Sequence, residues 1–478
     1  MSAVSPPSFT GPDLCRLEAH EVVSMLRRGE VSPPELIDAA FTRLDEAEPL
    51  INAMPTLCRE RALAAAGALS GDTAHPGWLA GLPVAIKDLT EVAGVRTTMG
   101  TRALTAHVPE TSGAVVRRIE ARGGLVIGKT NTPEFGAGAN TFNDVFGYTR
   151  NPWNTAMSAG GSSGGAAAAL ASGEVWLAHG SDLAGSLRTP AAFCGVVGLR
   201  PSPGIVPGAP GHMRFHSEAV QGPMARSVTD AALFLDAMAG FDAAEPLSCP
   251  APDAPYQQAV ARAEGGLRIA FSPDLGGFAP VSSEMEAHLR DVMDLLARDG
   301  AVVEETCPPL PELDGTYRVL RAMLWAAELG QAEPRMSKHF KATLRENIEY
   351  GRMLSVTDIY DAQRAKSRLF DIVAGFMRGF DVLACPVVGL MPGPVEQEYP
   401  VEIDGRPLED YIAWLKFSFV SPVTGLPAIS VPVGLGPRGL PVGLQLIGKP
   451  RGEAALLTAA RIIERAMGGP LGPIDPVV

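Results

Sequence analysis

Two glycine-rich segments of the sequence carry serines that could act as nucleophiles, and one lysine ends an apolar run that could bury it. Ser162 lies in GGSSGG, Ser186 lies in GSDLAGSLR, and Lys87 follows LPVAI. A serine hydroxyl alone is a poor nucleophile near neutral pH and needs a base within hydrogen-bond reach. A lysine amine can be that base only when it is neutral, and burial favours the neutral form. These residues could therefore carry out acyl transfer at a serine.

The first of these serines also fits a different hydrolase. The pattern G-x-S-x-G around Ser162 matches the nucleophile elbow of α/β-hydrolases, which needs a β-strand directly before it and a histidine and an acid later in the chain. Residues 151–158, which precede it, are predicted to form a loop rather than a strand. Among the later histidines, His216 stays open as a base. An α/β-hydrolase mechanism with Ser162 as the nucleophile is therefore the alternative chemistry.

A third pattern, G-x-x-x-x-G-K-T over residues 123–130, matches the phosphate-binding P-loop. A P-loop needs a flexible loop between a strand and a helix, but residues 125–127 (LVI) are themselves predicted to be the strand. Pro133 follows closely and permits no immediate helix. The pattern is therefore interpreted as a buried strand that ends in a loop, and no nucleotide cofactor is expected.

The two serine segments and the lysine resemble the amidase-signature enzymes, in which a Ser-cisSer-Lys triad carries out acyl transfer without histidine. The intervals between Lys87, Ser162 and Ser186 match that family, and so do GKTNTPEF, RNPW, PAAFCG, TGLPA and GLPVGLQ elsewhere in the chain. The resemblance implies that Ser186 is the nucleophile, Ser162 the bridging hydroxyl and Lys87 the base, with a cis peptide between Gly161 and Ser162. It also explains the elbow and P-loop patterns as segments of this signature.

The resemblance implies a proton relay and an oxyanion hole. The hydroxyl of Ser162 can accept a proton from Ser186 while it donates one to Lys87. The oxyanion is expected to bind backbone N–H groups of a tight turn formed by Leu183, Ala184, Gly185 and Ser186. The family usually has glycine at the position of Ala184 and often threonine at that of Leu183. The alanine methyl group is expected to affect which leaving groups fit.

Other residues are expected to support this turn or to contact the substrate. Asp182 and Arg188 are expected to pair with each other or with nearby backbone, and Ser163 is a further support. Ser162 and Ser163 could equally be N-caps of a helix over the alanine-rich residues 166–171. By resemblance, the segment containing Gly136, Ala137 and Gly138 lies over the substrate, although its sequence also fits an ordinary loop.

The elements that must position these residues are typical of an α/β protein with a central mixed β-sheet flanked by helices on both faces. We expect one amidase-signature domain over residues 1–478. Its parts are a helical segment 1–70, a signature core 75–240, a variable cap or insertion 242–400, and a C-terminal part of the core 401–478. The helical segment contains the capping box Ser32-Pro33-Pro34-Glu35.

Composition limits the partners. The chain has 478 residues and a formal charge of −13, with no run of Lys or Arg, which argues against nucleic acid and anionic membranes as partners. Six dispersed cysteines without a CxxC pair or a histidine cluster predict reduced thiols and no metal site. No signal peptide or apolar run of about 20 residues is seen. We therefore expect a cytoplasmic protein without a cofactor, and a homodimer stays open.

These patterns favour an amidohydrolase that cleaves the C–N bond of a small amide through an acyl-enzyme on Ser186, with esters, anilides and carbamates as related substrates. One alternative is the glutamine amidotransferase subunit of a tRNA-dependent transamidation complex, and another is a non-catalytic binding protein. A hydrophobic or aryl substrate is suggested by side chains of the segment 242–400, which could equally be helix core: Tyr317, Met323, Trp325, Tyr350, Met353 and Tyr360.

Overall fold

The computed structural model of the protein describes residues 8–208 and 213–478. These residues form sixteen α-helices: α1 (Asp13–Arg16), α2 (Ala19–Arg28), α3 (Pro33–Ile51), α4 (Arg59–Gly67), α5 (Ala114–Ala121), α6 (Gly164–Ala171), α7 (Arg188–Cys194), α8 (Val228–Met238), α9 (Tyr256–Ala261), α10 (Ser283–Arg298), α11 (Leu313–Leu329), α12 (Pro334–Ser337), α13 (Ala342–Met353), α14 (Val356–Phe376), α15 (Val420–Thr424) and α16 (Glu453–Ala466). Four short 3-10 helices lie at Arg102–Leu104, Glu134–Gly136, Met377–Gly379 and Ala413–Ser418.

The same residues form seventeen strands: β1 (Thr56–Leu57), β2 (Pro83–Lys87), β3 (Leu125–Thr130), β4 (Phe142–Asn143), β5 (Gly147–Tyr148), β6 (Arg150–Asn151), β7 (Asn154–Ser158), β8 (Leu177–Asp182), β9 (Val197–Arg200), β10 (Val220–Ala225), β11 (Arg268–Phe271), β12 (Val302–Glu305), β13 (Val382–Pro386), β14 (Glu402–Ile403), β15 (Arg406–Pro407), β16 (Ala428–Leu435) and β17 (Pro441–Ile447). Eleven of them make one sheet in the order β1-β3-β2-β8-β10-β9-β16-β17-β13-β11-β12. The sheet is mixed and flanked by helices, as predicted.

The strands that carry the predicted site are adjacent and parallel. Strand β2 pairs in parallel with β3 on one side and with β8 on the other. All five residues of β2 and all six of β3 are buried, which is typical of parallel strands covered on both faces. The carboxyl ends of parallel strands meet at one edge of a sheet, where ligands bind in open α/β folds. The residues that end β2 and β8 therefore lie at that edge.

The interpretation of residues 242–400 as a cap or insertion needs correction. Strands β11, β12 and β13 come from this segment and complete one end of the main sheet, with β13 paired to β17. Their short sequences lie between long amphipathic helices, whose pattern dominates the segment. The segment is therefore in part core, while its helices α11 to α13 lie near the predicted site.

Two smaller predictions have different outcomes. The capping box of Ser32 and Glu35 is confirmed at the start of α3, and Pro33 occupies its first turn. Residues 151–158 are not the loop that was predicted, because β6 and β7 pair there as a small antiparallel sheet. That sheet is separate from the main one, so β7 is not the core strand that a nucleophile elbow requires.

The described residues contain no helix that is both long and apolar enough to cross a membrane.

Candidate active site

The three predicted catalytic residues come from a strand end and two connections. Lys87 is the last residue of β2. Ser186 follows β8 and precedes α7, while Ser162 lies just before α6. The peptide between Gly161 and Ser162 is cis, as the family resemblance implied. Ser162 and Ser186 line the same cavity, so the fold brings these distant parts of the sequence together.

Lys87 is fully buried and surrounded by serine hydroxyls. Its Nζ donates hydrogen bonds to the Oγ atoms of Ser162 at 2.7 Å, Ser163 at 2.8 Å and Ser181 at 3.1 Å. Ser163 occupies the N-cap position of α6, but its side chain makes no capping bond. Its hydroxyl accepts a hydrogen bond from Lys87 instead. Sequence reasoning missed Ser181, whose place as the penultimate residue of β8, a strand beside β2, was the available signal.

The surroundings of Lys87 favour its neutral form. Burial lowers the pKa of Lys87 to about 7, and the charge of Asp182 opposes this effect. The three hydroxyl partners are neutral, so none of them stabilises the ammonium form as a carboxylate at hydrogen-bond distance would. A substantial fraction of the amine is therefore unprotonated near neutral pH and can accept a proton from Ser162.

Asp182 organises the turn that carries Ser186. Its carboxylate accepts hydrogen bonds from the backbone N–H groups of Gly185 at 3.0 Å and Leu187 at 3.1 Å, and from both Nε and Nη2 of Arg188 at 3.0 Å. Arg200, which sequence reasoning missed, adds a contact at 3.2 Å. Burial alone would raise the pKa of Asp182, but the two guanidinium groups outweigh it and hold the pKa well below its usual value. The predicted pairing of Asp182 with Arg188 is present.

The turn itself depends on Gly185. Its φ is +86°, and a Cβ atom there would lie 2.9 Å from Thr189 Oγ1 and 3.0 Å from Ser418 Cβ. The N–H of Gly185 donates to Asp182, so this one of the four predicted oxyanion donors is already used to hold the turn. Leu183 and Ser186 line the cavity, and Ala184 is buried between them.

The predicted substrate segment 136–138 divides into two environments. Gly136 lines the cavity, and a Cβ atom there would lie 3.3 Å from Ser162 Oγ. Ala137 is buried in a small hydrophobic cluster with Phe340 and Leu344 of the region around α13. A Cβ atom on Gly138 would lie 3.1 Å from Lys341 Nζ. The structure therefore places Gly136 beside Ser162 and the next two residues against the α13 region.

The cavity has a volume of about 710 Å³ and is mainly apolar. Its apolar lining includes Leu89, Met99, Leu104, Phe135, Leu324 and Leu329. Its polar lining includes Glu91, His107, His216, Gln221, Glu328 and Gln331. In the described part of the chain, no lysine or arginine is among the lining residues. The space therefore suits a neutral or cationic ligand with a substantial apolar part.

Of the six aromatic and methionine side chains suggested as substrate contacts, one lines this cavity: Trp325. Tyr317 is core, because it is fully buried and stacks on Phe419 with 3.7 Å between ring centroids. Met323 packs against the same core. The remaining three are exposed on the surface: Tyr350, Met353 and Tyr360. Helical periodicity did not separate these environments, since it does not reveal what each helix face contacts.

Lys129 of the P-loop pattern and His216 of the elbow pattern have surroundings that differ from those of Lys87. Lys129 of the P-loop pattern lies in the buried strand β3, as predicted, and its Nζ donates to Asp88 Oδ1 at 3.0 Å and Thr97 Oγ1 at 2.8 Å. His216, the alternative base, lines the cavity, and its Nδ1 lies 3.4 Å from a carboxylate oxygen of Glu218. By contrast, Lys87 and Ser162 share a hydrogen bond.

Similarity to known proteins extends over nearly the whole chain. Residues 35–457 match the Amidase family. The chain is 36% identical over 475 residues to an acylamidase of Rhodococcus erythropolis, covering 95% of this chain and 96% of that protein. It is also 34% identical over 503 residues to a glutamyl-tRNA(Gln) amidotransferase subunit of Anaeromyxobacter dehalogenans, covering 98% and 100%.

Solved structures agree with these similarities. A bacterial aryl acylamidase of the amidase-signature family superposes with a TM-score of 0.86 at 28% identity, covering 94% of this chain and 96% of that one. The 6-aminohexanoate cyclic dimer hydrolase superposes with the same TM-score and identity, covering 96% and 98%. With the buried lysine, the serine hydroxyls and the cis peptide in place, these similarities show that the chain belongs to the amidase family and is an amidase-signature hydrolase.

Proposed function

We propose that the protein hydrolyses a small, hydrophobic or aryl amide through an acyl-enzyme on Ser186. The observation that carries this proposal is the 2.7 Å hydrogen bond from the buried Lys87 amine to Ser162, at the wall of a cavity that Ser186 also lines. A nucleophile needs a base within reach, and a lysine bonded to a serine that lines the same cavity as Ser186 supports such a relay.

In the proposed reaction, Ser186 Oγ attacks the substrate carbonyl while Ser162 takes its proton and passes one of its own to Lys87. The resulting oxyanion is stabilised by the backbone N–H groups of Leu183, Ala184 and Ser186. The C–N bond then breaks as the same relay returns the proton to the departing amine. Water next attacks the acyl-enzyme by the same route and releases the acid.

The lining of the cavity supports this choice of substrate. Apolar and aromatic side chains dominate it, and esters, anilides and carbamates present the same carbonyl geometry to Ser186 as amides do. Glutamine, the amide donor of the alternative transamidation reaction, carries a free carboxylate. A cavity without lysine or arginine among its described lining residues offers that group no ion pair, which favours the hydrolase over the amidotransferase.

A binding protein without catalysis is the second alternative. It would give no reason for a lysine buried among three serine hydroxyls, which carries a desolvation cost without an ion pair. Cytoplasmic location, the absence of a cofactor and the absence of nucleic-acid or membrane partners remain predictions from the sequence. A homodimer also remains open.

The test is a panel of chromogenic anilides, esters, carbamates and primary amides with the purified chain and with Ser186→Ala. We expect hydrolysis of apolar anilides by the wild type, and a loss of several orders of magnitude in Ser186→Ala together with loss of fluorophosphonate labelling. The exposed Ser367→Ala on α14 is the matched control and should label normally. Labelling of Ser186→Ala at Ser162, or absence of turnover across the panel, would contradict the proposal.

A further inference from the structure

The connection between α11 and α13 forms a thin wall of the substrate cavity. Leu329 and Ala332 line this cavity of about 710 Å³. The same two residues also line a second cavity of about 450 Å³, together with Phe340 and Ile348. Protein interiors are otherwise close-packed, so a wall with a cavity on each side lacks the support that core packing gives. Its position therefore depends on contacts at its ends.

The apolar packing of this connection is separate from the main core. Partly buried side chains of Leu329, Ala332 and Met336 pack against a small cluster of four buried residues: Ala137, Phe340, Leu344 and Ile348. The sheet and most of its flanking helices belong to two much larger clusters of the described residues. Elements with few buried apolar contacts open most easily. The small cluster alone therefore holds the wall weakly.

Lys341, which directly precedes α13, anchors one end of the wall. Its backbone N–H donates to the buried carboxylate of Glu134 at 2.8 Å. Its Nζ pairs with Glu398 Oε1 at 3.2 Å and lies 5.3 Å from the centre of the Phe142 ring. The side chain is only 19% exposed, so the ammonium group is held between a carboxylate and an aromatic face.

Glu398 is itself fixed on both sides. Its Oε1 also accepts from Thr343 Oγ1 at 3.0 Å, in the first turn of α13. Its backbone O accepts from Asn140 Nδ2 at 3.2 Å, and Asn140 Oδ1 accepts from the buried Ser158 at the end of β7. Lys341 therefore connects the wall to residues that are anchored outside it.

We propose that Lys341 is a positioning residue that fixes this wall and thereby sets the size of the apolar group that the site accepts. With the contact to Glu398 intact, the wall at Leu329 and Ala332 limits the cavity. Without it, the wall can move into the second cavity and make room for a larger group. The inference rests on the proposed hydrolase function and deepens it, because it assigns the size limit for the substrate to a contact outside the reacting groups.

The experiment measures kcat and KM for two series of p-nitroanilides. One series lengthens the acyl chain by one methylene at a time, and the other places alkyl groups of increasing size on the aniline ring. In the wild type, kcat/KM should rise with size and then fall where the group meets the wall. In Lys341→Met this limit should move to a larger group in at least one series. For the first compound beyond the wild-type limit, kcat/KM should rise about tenfold, mainly through a lower KM.

Three further variants isolate the contact. Lys341→Arg keeps the positive charge beside Glu398 and should restore the wild-type limit. Glu398→Ala removes the acceptor of both Lys341 and Thr343, so it should move the limit at least as far as Lys341→Met. Lys449→Met is the control and should leave the limit unchanged. It breaks an ion pair with Asp381 at 3.8 Å, and neither residue is among the described residues that line the cavity.

Hydrogen exchange tests the same contact without turnover. In Lys341→Met and Glu398→Ala, the amides of residues 330–341 should exchange faster than in the wild type, while those of β2 and β8 should not change. Melting curves show whether each variant is folded. If one of the two does not fold, the other decides.

Two results would overturn the inference. The first is turnover of the anilides with the wild-type size limit in folded Lys341→Met and Glu398→Ala, which would leave the hydrolase function intact. The second is unchanged exchange of residues 330–341 in both variants. If the wild type hydrolysed no anilide of either series, the proposed function would fail, and the exchange measurement alone would decide whether Lys341 holds the wall.

Discussion

Two lysines are buried one strand apart at the same edge of the sheet, and their surroundings differ. Lys87 ends β2. Lys129 lies in β3 opposite Ile86, the residue that precedes Lys87. Both side chains are 0% exposed. Lys87 contacts three serine hydroxyls, whereas Lys129 contacts the carboxylate of Asp88 at 3.0 Å. Burial alone therefore does not distinguish the two lysines, but their hydrogen-bond partners do.

The alternation of side chains along the strand explains how this difference arises. Asp88 directly follows Lys87, and successive residues of an extended chain point to opposite sides. The Asp88 carboxylate consequently faces Lys129 and Thr98 rather than Lys87. Burial lowers the pKa of Lys129 too, but Asp88 opposes that effect at hydrogen-bond distance. One carboxylate, on the side of Lys129, gives that lysine an ion-pair partner and leaves Lys87 without a carboxylate at hydrogen-bond distance.

The largest effect is expected for Lys87→Met, which removes the base while filling the same space. We expect kcat/KM for an anilide to fall by roughly a thousandfold or more, because Ser162 loses its proton acceptor. An activated phenyl ester should lose less, because its phenolate departs without being protonated. The melting temperature should not fall, since a buried amine without an ion pair is replaced by an apolar chain.

Steady-state kinetics of the wild type and Lys87→Met with the anilide and the ester measure the loss of activity. Melting curves of both proteins measure the change in stability. Near-normal anilide turnover in Lys87→Met would refute the assignment of Lys87 as the base. A large loss of stability in Lys87→Met would instead indicate that Lys87, like Lys129, is a structural residue.

For Lys129→Met the expected effect is on stability. Removing this lysine leaves the buried Asp88 carboxylate without its cation, which typically costs about 3–5 kcal/mol. The double variant Lys129→Met/Asp88→Asn should recover much of that loss, because no uncompensated charge remains. Urea denaturation of the two variants and the wild type measures the difference. If Lys129→Met were as stable as the wild type but inactive, the division of roles between the two lysines would be wrong.

How far the sequence predicts this region can be judged from the same two lysines. The contact between Lys87 and Ser162 and the turn 182–188 could be anticipated because the glycine-rich segments around Ser162 and Ser186 are long and specific. The pairing of Lys129 with Asp88 could not be predicted from the sequence, because the P-loop pattern indicates only the end of a strand. Ser181 was missed for a similar reason, since its contact with Lys87 depends on the register between β2 and β8.

The fold shows the same limit at a larger scale. The short strands β11 and β13 lie within a segment whose long helices dominate the hydrophobic periodicity. Their membership in the sheet depends on parallel pairing between residues over a hundred positions apart, such as Ile269 with Val382. Local patterns contain no signal for such pairing. The mixed sheet was therefore predictable as a class, whereas the extent of the core was not.

A smaller effect is expected on the pH dependence of the wild type. The pKa of Lys87 is lowered from 10.5 to about 7, so the neutral amine that acts as base is the main form above about pH 7 and is lost below it. We expect kcat/KM for an anilide to be level above about pH 8 and to fall about tenfold per pH unit below about pH 6. Asp182 is ionised throughout this range. A flat profile between pH 5 and 9 would contradict Lys87 as the titrating base.

The same lowered pKa has a consequence for stability. The folded protein binds fewer protons at Lys87 than the unfolded chain does between about pH 7 and 10.5, so the contribution of Lys87 to stability becomes less favourable as the pH falls through that window. Lys87→Met should lack this dependence. Melting temperatures of the two proteins across that window should therefore differ more at pH 7 than at pH 10.

The smallest effect is expected for Ser181→Ala, which tests whether the hydroxyl groups around Lys87 position it or merely fill space. Removing one of three acceptors costs about 0.5–1.5 kcal/mol, so anilide kcat/KM should fall roughly two- to tenfold. A hydroxyl oxygen that accepts from Nζ favours the ammonium form, and its loss should lower the pKa of Lys87 further and move the acidic limb of the profile to lower pH. Ser181→Thr keeps the hydroxyl group at a side chain that borders the cavity, and it should restore both the rate and the limb. If the alanine and threonine variants had the same pH profile, Ser181 would only fill space, and two hydroxyl groups would be enough to separate Lys87 from its ion-paired neighbour.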